Sequence, residues 1–393
     1  MTSLFFLFYF YRYEKKYIIN KYTLYFFLAY CFLIFVSLFS VDKLISLKST
    51  IPYFRFFLFS LIIWYCLEKK ILNLKIFYFL LAIIISIFFF DSLLQFIYGF
   101  NILGQVSPLN YRITSFFGDE AKMGSYIFKI YILFSFINLL IKINYQKIIF
   151  SIISALAIVL VIMSGDRTPF FLMFIYFVIL SFIFINKNNF INLFIFFILS
   201  FFLIFTNEVL KNRIILMTIS GFFTTLENFN QDKINKKVEI QDQNLNKLKF
   251  YISDDHHSHF LSSKKIFLDN LLVGTGPNTF RIVCNKEDYY IKKNSCSTHP
   301  HNYYLQLSSE TGIVGLSILI VIFLYSIYQI IKKIFVKKKN NSFVFIYIYI
   351  FIILFPLSPN GNFFNNWLSI INYLPFGFFI YYYNNRNYLF SKK

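Results

Sequence analysis

The chain is poor in charge, in histidine and in acidic residues, and each scarcity closes off a class of function. Only 14% of its 393 residues are charged, while 58% are hydrophobic and 58 are Phe. That is too much apolar surface for one water-soluble core, which excludes a soluble globular protein. There are five histidines and no H-E-x-x-H pair, which leaves a zinc-dependent membrane hydrolase only as a remote rival. Eighteen Asp and Glu stand against 38 Lys and Arg, a net charge of +20. A nucleic-acid reader would concentrate such charge on a soluble face; here much of it flanks apolar runs, and nucleic acid is excluded as a partner. No internal repeat stands out. The apolar run 4–11 is too short to span and has no basic flank ahead of it, so it reads as neither a good signal peptide nor a full helix.

What the chain has is a series of apolar runs of spanning length, at 22–40, 51–67, 76–97, 123–141, 148–163, 169–185, 190–206, 312–331, 343–357 and 365–383. They predict an all-α polytopic membrane protein of about 10–11 transmembrane helices with one large outer loop. Residues 1–206 form the first set of helices, 207–311 the loop and 312–393 the last set. Lys and Arg are retained on the cytoplasmic side of short loops. One set of segments carries eighteen of them, and the alternate loops carry five: Lys43, Lys48, Arg112, Lys122 and Arg167. Both termini are therefore expected in the cytoplasm and residues 207–311 outside. In the loop, Glu227 to Lys249 is polar and low in complexity, whereas Phe260 to Leu272 has apolar residues at helical spacing and reads as an interfacial helix.

Cysteine use agrees with this orientation. Cys31 and Cys66 lie inside predicted spans, whereas Cys284 and Cys296 share the outer loop. A disulfide between them would close a loop of about thirteen residues and stabilise by roughly 3 kcal/mol. It would hold His299 and His301, which follow it in the stretch HPHNYYLQLSSETGIVG. There Pro300 favours an extended approach, Asn302 is an N-cap, Tyr303 to Glu310 form about two helical turns and Gly312 ends them. His301 then sits at a helix N-terminus, where the dipole disfavours imidazolium and keeps the ring available as a base.

Ionisable groups inside a bilayer cost at least a few kcal/mol, so they pair or face a polar cavity. Arg55, Asp91, Lys129 and Arg167 all fall in the outer half of their spans, with Asp91 and Gln95 on one helix face. Taken one by one these are snorkelling groups or an Asp91–Lys129 pair. Taken with Arg112 and Arg281, they describe a basic cavity that would attract a diphosphate. The stretch DDHHSH, Asp254 to His259, raises zinc, with His299 and His301 as further ligands. Its spacing matches no recognised ligand pattern, so it reads as a solvated polar turn and no metal or cofactor is expected.

The His301 stretch resembles the O-antigen ligase and polymerase family, whose pattern is His, then Asn, Ser or Gln, nine residues, and Gly-x-x-Gly. His301, Asn302, Gly312 and Gly315 fill every fixed position. RITSFFGDEAKMGSY (Arg112 to Tyr126), SGDRTPFFL (Ser164 to Leu172) and GTGPNTFR (Gly274 to Arg281) fit in the family's order, and the likeness covers roughly residues 20 to 380. It implies a GT-C-like bundle in a bacterial inner membrane and a periplasmic site. The implied donor is a glycan on undecaprenyl diphosphate and the acceptor a sugar hydroxyl of lipid A-core. It also implies direct, inverting transfer without a metal.

Arg167 matches a family arginine. A second in the outer loop is matched by Arg213 or Arg281, and Asp166 replaces a small residue in a place to neutralise Arg167. On this reading His301 is the base, Arg167 carries the leaving charge, and Glu310 and Asn302 orient the site. Arg112 and His299 contact donor, and Tyr303 or Tyr304 stacks on a sugar. Rivals sharing the motif are an O-antigen polymerase and a protein O-oligosaccharyltransferase. A lipid-linked glycan transporter would want polar groups near the midplane, which these spans lack.

Overall fold

The structure is a computed structural model that describes residues 2–107, 112–120, 122–184, 187–219, 254–291, 295–335 and 343–391. The polar stretch 227–249 and the basic residues Lys337 to Lys339 lie outside them. Among the described residues there is no strand, and each of the ten apolar runs is helical. Among the described residues six helices are long and apolar enough to cross a membrane, or seven if the bent pair Phe190–Thr206 and Glu208–Ile219 is one span. Arg167–Ile183 and Val344–Ile353 are shorter apolar helices. The chain is a multi-pass membrane protein.

It folds as two units that interleave along the sequence. One comprises Met1–Leu72, Thr224–Tyr325 and Ile353–Lys393, the other Asn73–Phe223 and Ser326–Ile352. In the first unit the run 4–11 belongs to a helix, Thr2–Tyr13, that is too short to span but well anchored. Phe10 and Tyr17 are fully buried against Leu58, Leu61, Trp64 and Ile380. Glu68 pairs with Lys16 at 2.6 Å and accepts from the Tyr17 hydroxyl, and Glu14 pairs with Lys69. In lipid there is no hydrophobic drive between helices, so close packing of small residues decides association. Helix Phe54–Glu68 meets Asn366–Ser391 at Gly377, where a Cβ would lie 2.6 Å from the Ser60 carbonyl oxygen. Ser60 Oγ donates to the Tyr373 carbonyl at 2.7 Å and closes the contact. Arg55 donates to Asn366 Oδ1 and holds the start of that last helix.

The second unit is built on aromatic packing. Tyr131 lies between Phe150, Tyr176 and Phe177, and Tyr78 stacks on Phe134 at 4.4 Å. Asp91 and Gln95, one turn apart and both buried, do not line a cavity as the sequence suggested; they fasten the loop that follows their own helix. Asp91 accepts from the Ser115 hydroxyl and from the Ile102 amide at 2.9 Å. Gln95 Oε1 accepts from the Thr114 and Ser115 amides at 3.0 and 2.8 Å. The helix Lys187–Thr206 ends where Asn207 caps a new one through the Leu210 amide, and the chain bends there by 109°. That bend carries Arg213 back toward Gly165.

Candidate functional site: a histidine loop and an arginine group

In the first unit, Asn302 starts the helix Tyr303–Phe335 by accepting from the Tyr304 and Leu305 amides, as a capping asparagine does. Its Nδ2 donates to the Pro356 carbonyl at 2.6 Å, so the side chain is spent on structure. His301, just ahead of the cap, has φ +56° rather than the extended backbone expected after Pro300. A left-handed residue that is not glycine is strained, and the surroundings must hold it. Part of that hold is the Asn360 amide, which donates to the His301 carbonyl at 2.8 Å. The turn Ser358–Phe364 therefore supports His301 from its own side of the unit.

At Gly312 the helix breaks, with φ +67°. A Cβ there would sit 2.4 Å from the Leu272 carbonyl oxygen, and the Ile313 amide, freed by the break, donates to the Leu271 carbonyl at 2.7 Å. Only glycine permits this approach. The turn after Leu272 then docks on the helix: the Thr275 and Gly276 amides donate to the Ser309 and Glu310 carbonyls at 3.0 and 2.8 Å.

Glu310 is fully buried beneath that turn. Its carboxylate accepts from the Asn278 amide at 2.9 Å, the Phe280 amide at 3.0 Å and Gln306 Nε2 at 3.0 Å. With both oxygens taken by the protein, Glu310 is a positioning residue and not a group that reaches substrate. Asn278 in turn accepts from Arg281 Nη2 at 2.7 Å and from Asn362 Nδ2 at 2.8 Å. Arg281 is exposed at the end of this relay. Nothing in the sequence joins residues 278, 306, 310 and 362; the amide network is a tertiary feature. Tyr303 is buried, with its hydroxyl accepting from Asn372 Nδ2 at 3.3 Å and its ring against Phe363. It cannot stack on a sugar. Tyr304 is half-buried, its hydroxyl donating to the Leu354 carbonyl at 2.7 Å.

Cys284 and Cys296 are disulfide-bonded, with Cα atoms 5.2 Å apart. Beyond them three imidazoles gather: the His299 ring lies 4.2 Å from that of His301, and the His259 ring 5.3 Å from it, centroid to centroid. The DDHHSH stretch is thus no solvated turn. It opens the helix Asp254–Asp269, which begins two turns earlier than the spacing from Phe260 suggested. The side chains of Asp254, Asp255 and His256 lie outside the described residues. Among the described residues no group of three His, Cys, Asp or Glu is arranged to hold a metal ion.

The second unit brings Arg112, Arg167 and Arg213 around the turn Ser164–Arg167. Asp166 forms its ion pair with Arg112, where the sequence suggested Arg167 as its partner. Arg213 Nε donates to the Gly165 carbonyl at 3.3 Å, and Arg167 Nη1 donates to the Met217 carbonyl at 3.3 Å. Gly165, at φ +64°, leaves room: a Cβ there would stand 3.7 Å from both Arg112 and Arg213. Burial pushes the Asp166 carboxyl up to about 6, against the pull of Arg112 and Arg213. Arg112 and Arg213 thus both act on one poorly solvated carboxylate, and Arg167 follows it directly in the chain. Of the two arginines the sequence left open, Arg213 is the one in this group, and Arg281 belongs to the other unit.

Residues 152–320 match the family model described as O-Antigen ligase, a stretch that includes Arg167, Arg213, Arg281, Glu310 and His301. Over that stretch, less than half of its length, the chain is similar to the O-antigen ligase family, and the match supports membrane glycosyltransferase activity of the ligase or polymerase type. No curated protein and no solved structure matches the chain.

Proposed function

We propose that this protein is an O-antigen ligase-like glycosyltransferase of a bacterial inner membrane. It moves a glycan from undecaprenyl diphosphate to a sugar hydroxyl of lipid A-core, at a periplasmic site and with both termini in the cytoplasm. The observation that carries the reading is that one family match holds both a histidine locked ahead of a helix cap and, at Arg167 and Arg213, arginines at a buried turn. His301 takes the proton of the acceptor hydroxyl as its oxygen attacks the anomeric carbon. The bond from that carbon to the diphosphate oxygen breaks, and the leaving charge calls for a guanidinium group, the role proposed for Arg167. Attack and departure on opposite faces invert the anomeric centre. The leaving group is already activated, so the step calls for no metal.

Arg281, held outward by Asn278, and His299, against His301, contact the donor's sugars or phosphate. Tyr304 lies beside them in sequence. A lipopolysaccharide gel of cells carrying His301→Ala tests reaction and acceptor together. Loss of ligation leaves bare core and supports the proposal. Core with one repeat indicates a polymerase, and untouched lipopolysaccharide with lost glycoprotein indicates transfer to protein.

A further inference from the structure

His259 lies forty-two positions before His301 in sequence, yet its ring packs against that of His301. The helix Asp254–Asp269 puts it there. His259, Ser262, Ser263 and Ile266 recur at helical spacing and are all buried, so they define one face. Ile266 seats that face on Phe280, Val283 and Cys284, the last half of the disulfide. The other half, Cys296, adjoins Ser295, whose carbonyl oxygen lies 3.0 Å from His259 Nδ1. A carbonyl only accepts, so Nδ1 of His259 carries the proton and donates. One bond thereby sets both the tautomer and the tilt of the ring.

We propose that His259 is a positioning residue for His301, aimed by the Ser295 carbonyl that the Cys284–Cys296 disulfide holds in place. This rests on the reading of His301 as the base. The left-handed backbone of His301 explains the need. Such a backbone is fixed only if its surroundings over-determine it, and a ring packed on the imidazole supplies the restraint that the main chain does not. His259 is 5% exposed, so it acts through His301 and does not meet the substrate.

The test uses purified full-length protein in detergent, with undecaprenyl-diphosphate oligosaccharide as donor, envelope lipid extract as acceptor, and undecaprenyl diphosphate release as readout. His259→Asn keeps a donor for Ser295 and loses the ring; His259→Phe keeps a ring and loses the donor. Misaiming a base costs about ten- to hundredfold, so both variants are expected to lower kcat by that factor while donor KM stays within about twofold. If His259→Phe does not fold, His259→Asn decides alone. Unchanged kcat in folded His259→Asn, or a rise in KM that matches the fall in kcat, overturns the proposal. His301→Ala run in parallel separates the two failures: full turnover there refutes the base, whereas its loss with an active His259→Asn refutes only the positioning role.

Discussion

His301 is held by a capped helix, a strained backbone and an amide hydrogen bond, whereas Arg112 and Arg213 act on one buried carboxylate that Arg167 follows in the chain. The two arrangements suit different tasks. A base must be aimed to within a fraction of an ångström, and the Asn360 amide bonded to its carbonyl, the His259 ring beside it and the Asn302 cap after it restrain His301. An anion site must exchange one partner for another. On the proposed function Asp166 is a resident anion that a diphosphate replaces, because its burial makes its own charge costly.

The largest expected effect falls on the base. Replacing His301 with alanine should lower kcat by about 10²- to 10⁴-fold with little change in donor KM, measured by product release. Next comes the buried carboxylate beneath the turn. Glu310→Ala strands donors from Asn278, Phe280 and Gln306, each costing about 1–3 kcal/mol, and should lower the thermal unfolding temperature in detergent as well as activity. Glu310→Gln should lose less of both, since it keeps an acceptor.

In the arginine unit the losses should be smaller and should appear in binding. Arg167→Lys keeps the charge but not the two-pronged contact, and donor KM should rise by roughly tenfold. The smallest effect is the most diagnostic. Asp166 titrates near about 6, above its ordinary 3.8, so its contribution to stability is full below the ordinary value and lost as pH rises through 6. By the same sign, the neutral acid below pH 6 releases Arg112 and Arg213. Donor affinity should therefore increase as pH falls through that value, while a diphosphate diester stays ionised throughout. Asp166→Asn should bind tightly across the range and flatten the dependence, as read from donor KM between pH 5 and 7.5.

Much of the first unit's motif was legible in sequence and much of its support was not. Asn302 as a cap and Gly312 as a break follow from local rules, because both act on their own backbone. All ten apolar runs are helices for the same reason: run length is a local property. Glu310's partners come from thirty residues upstream and His259's from thirty-six downstream, and no spacing rule pairs them. Extending the period from Ile266 back to His259 was the signal within reach. In the second unit the sequence pointed to Arg167, but the companionship of Arg213 depends on a 109° bend at Asn207. Asp91 shows the opposite error: a charge in an apolar run suggested a substrate cavity, and its bonds serve a loop.

The most direct measurement is undecaprenyl diphosphate released by purified His301→Ala from a lipid-linked oligosaccharide, beside wild type at equal protein. A fall of at least about a hundredfold with donor KM unchanged is the predicted result. Release at the wild-type rate would contradict the assignment of the base and, with it, the proposed chemistry of the histidine loop.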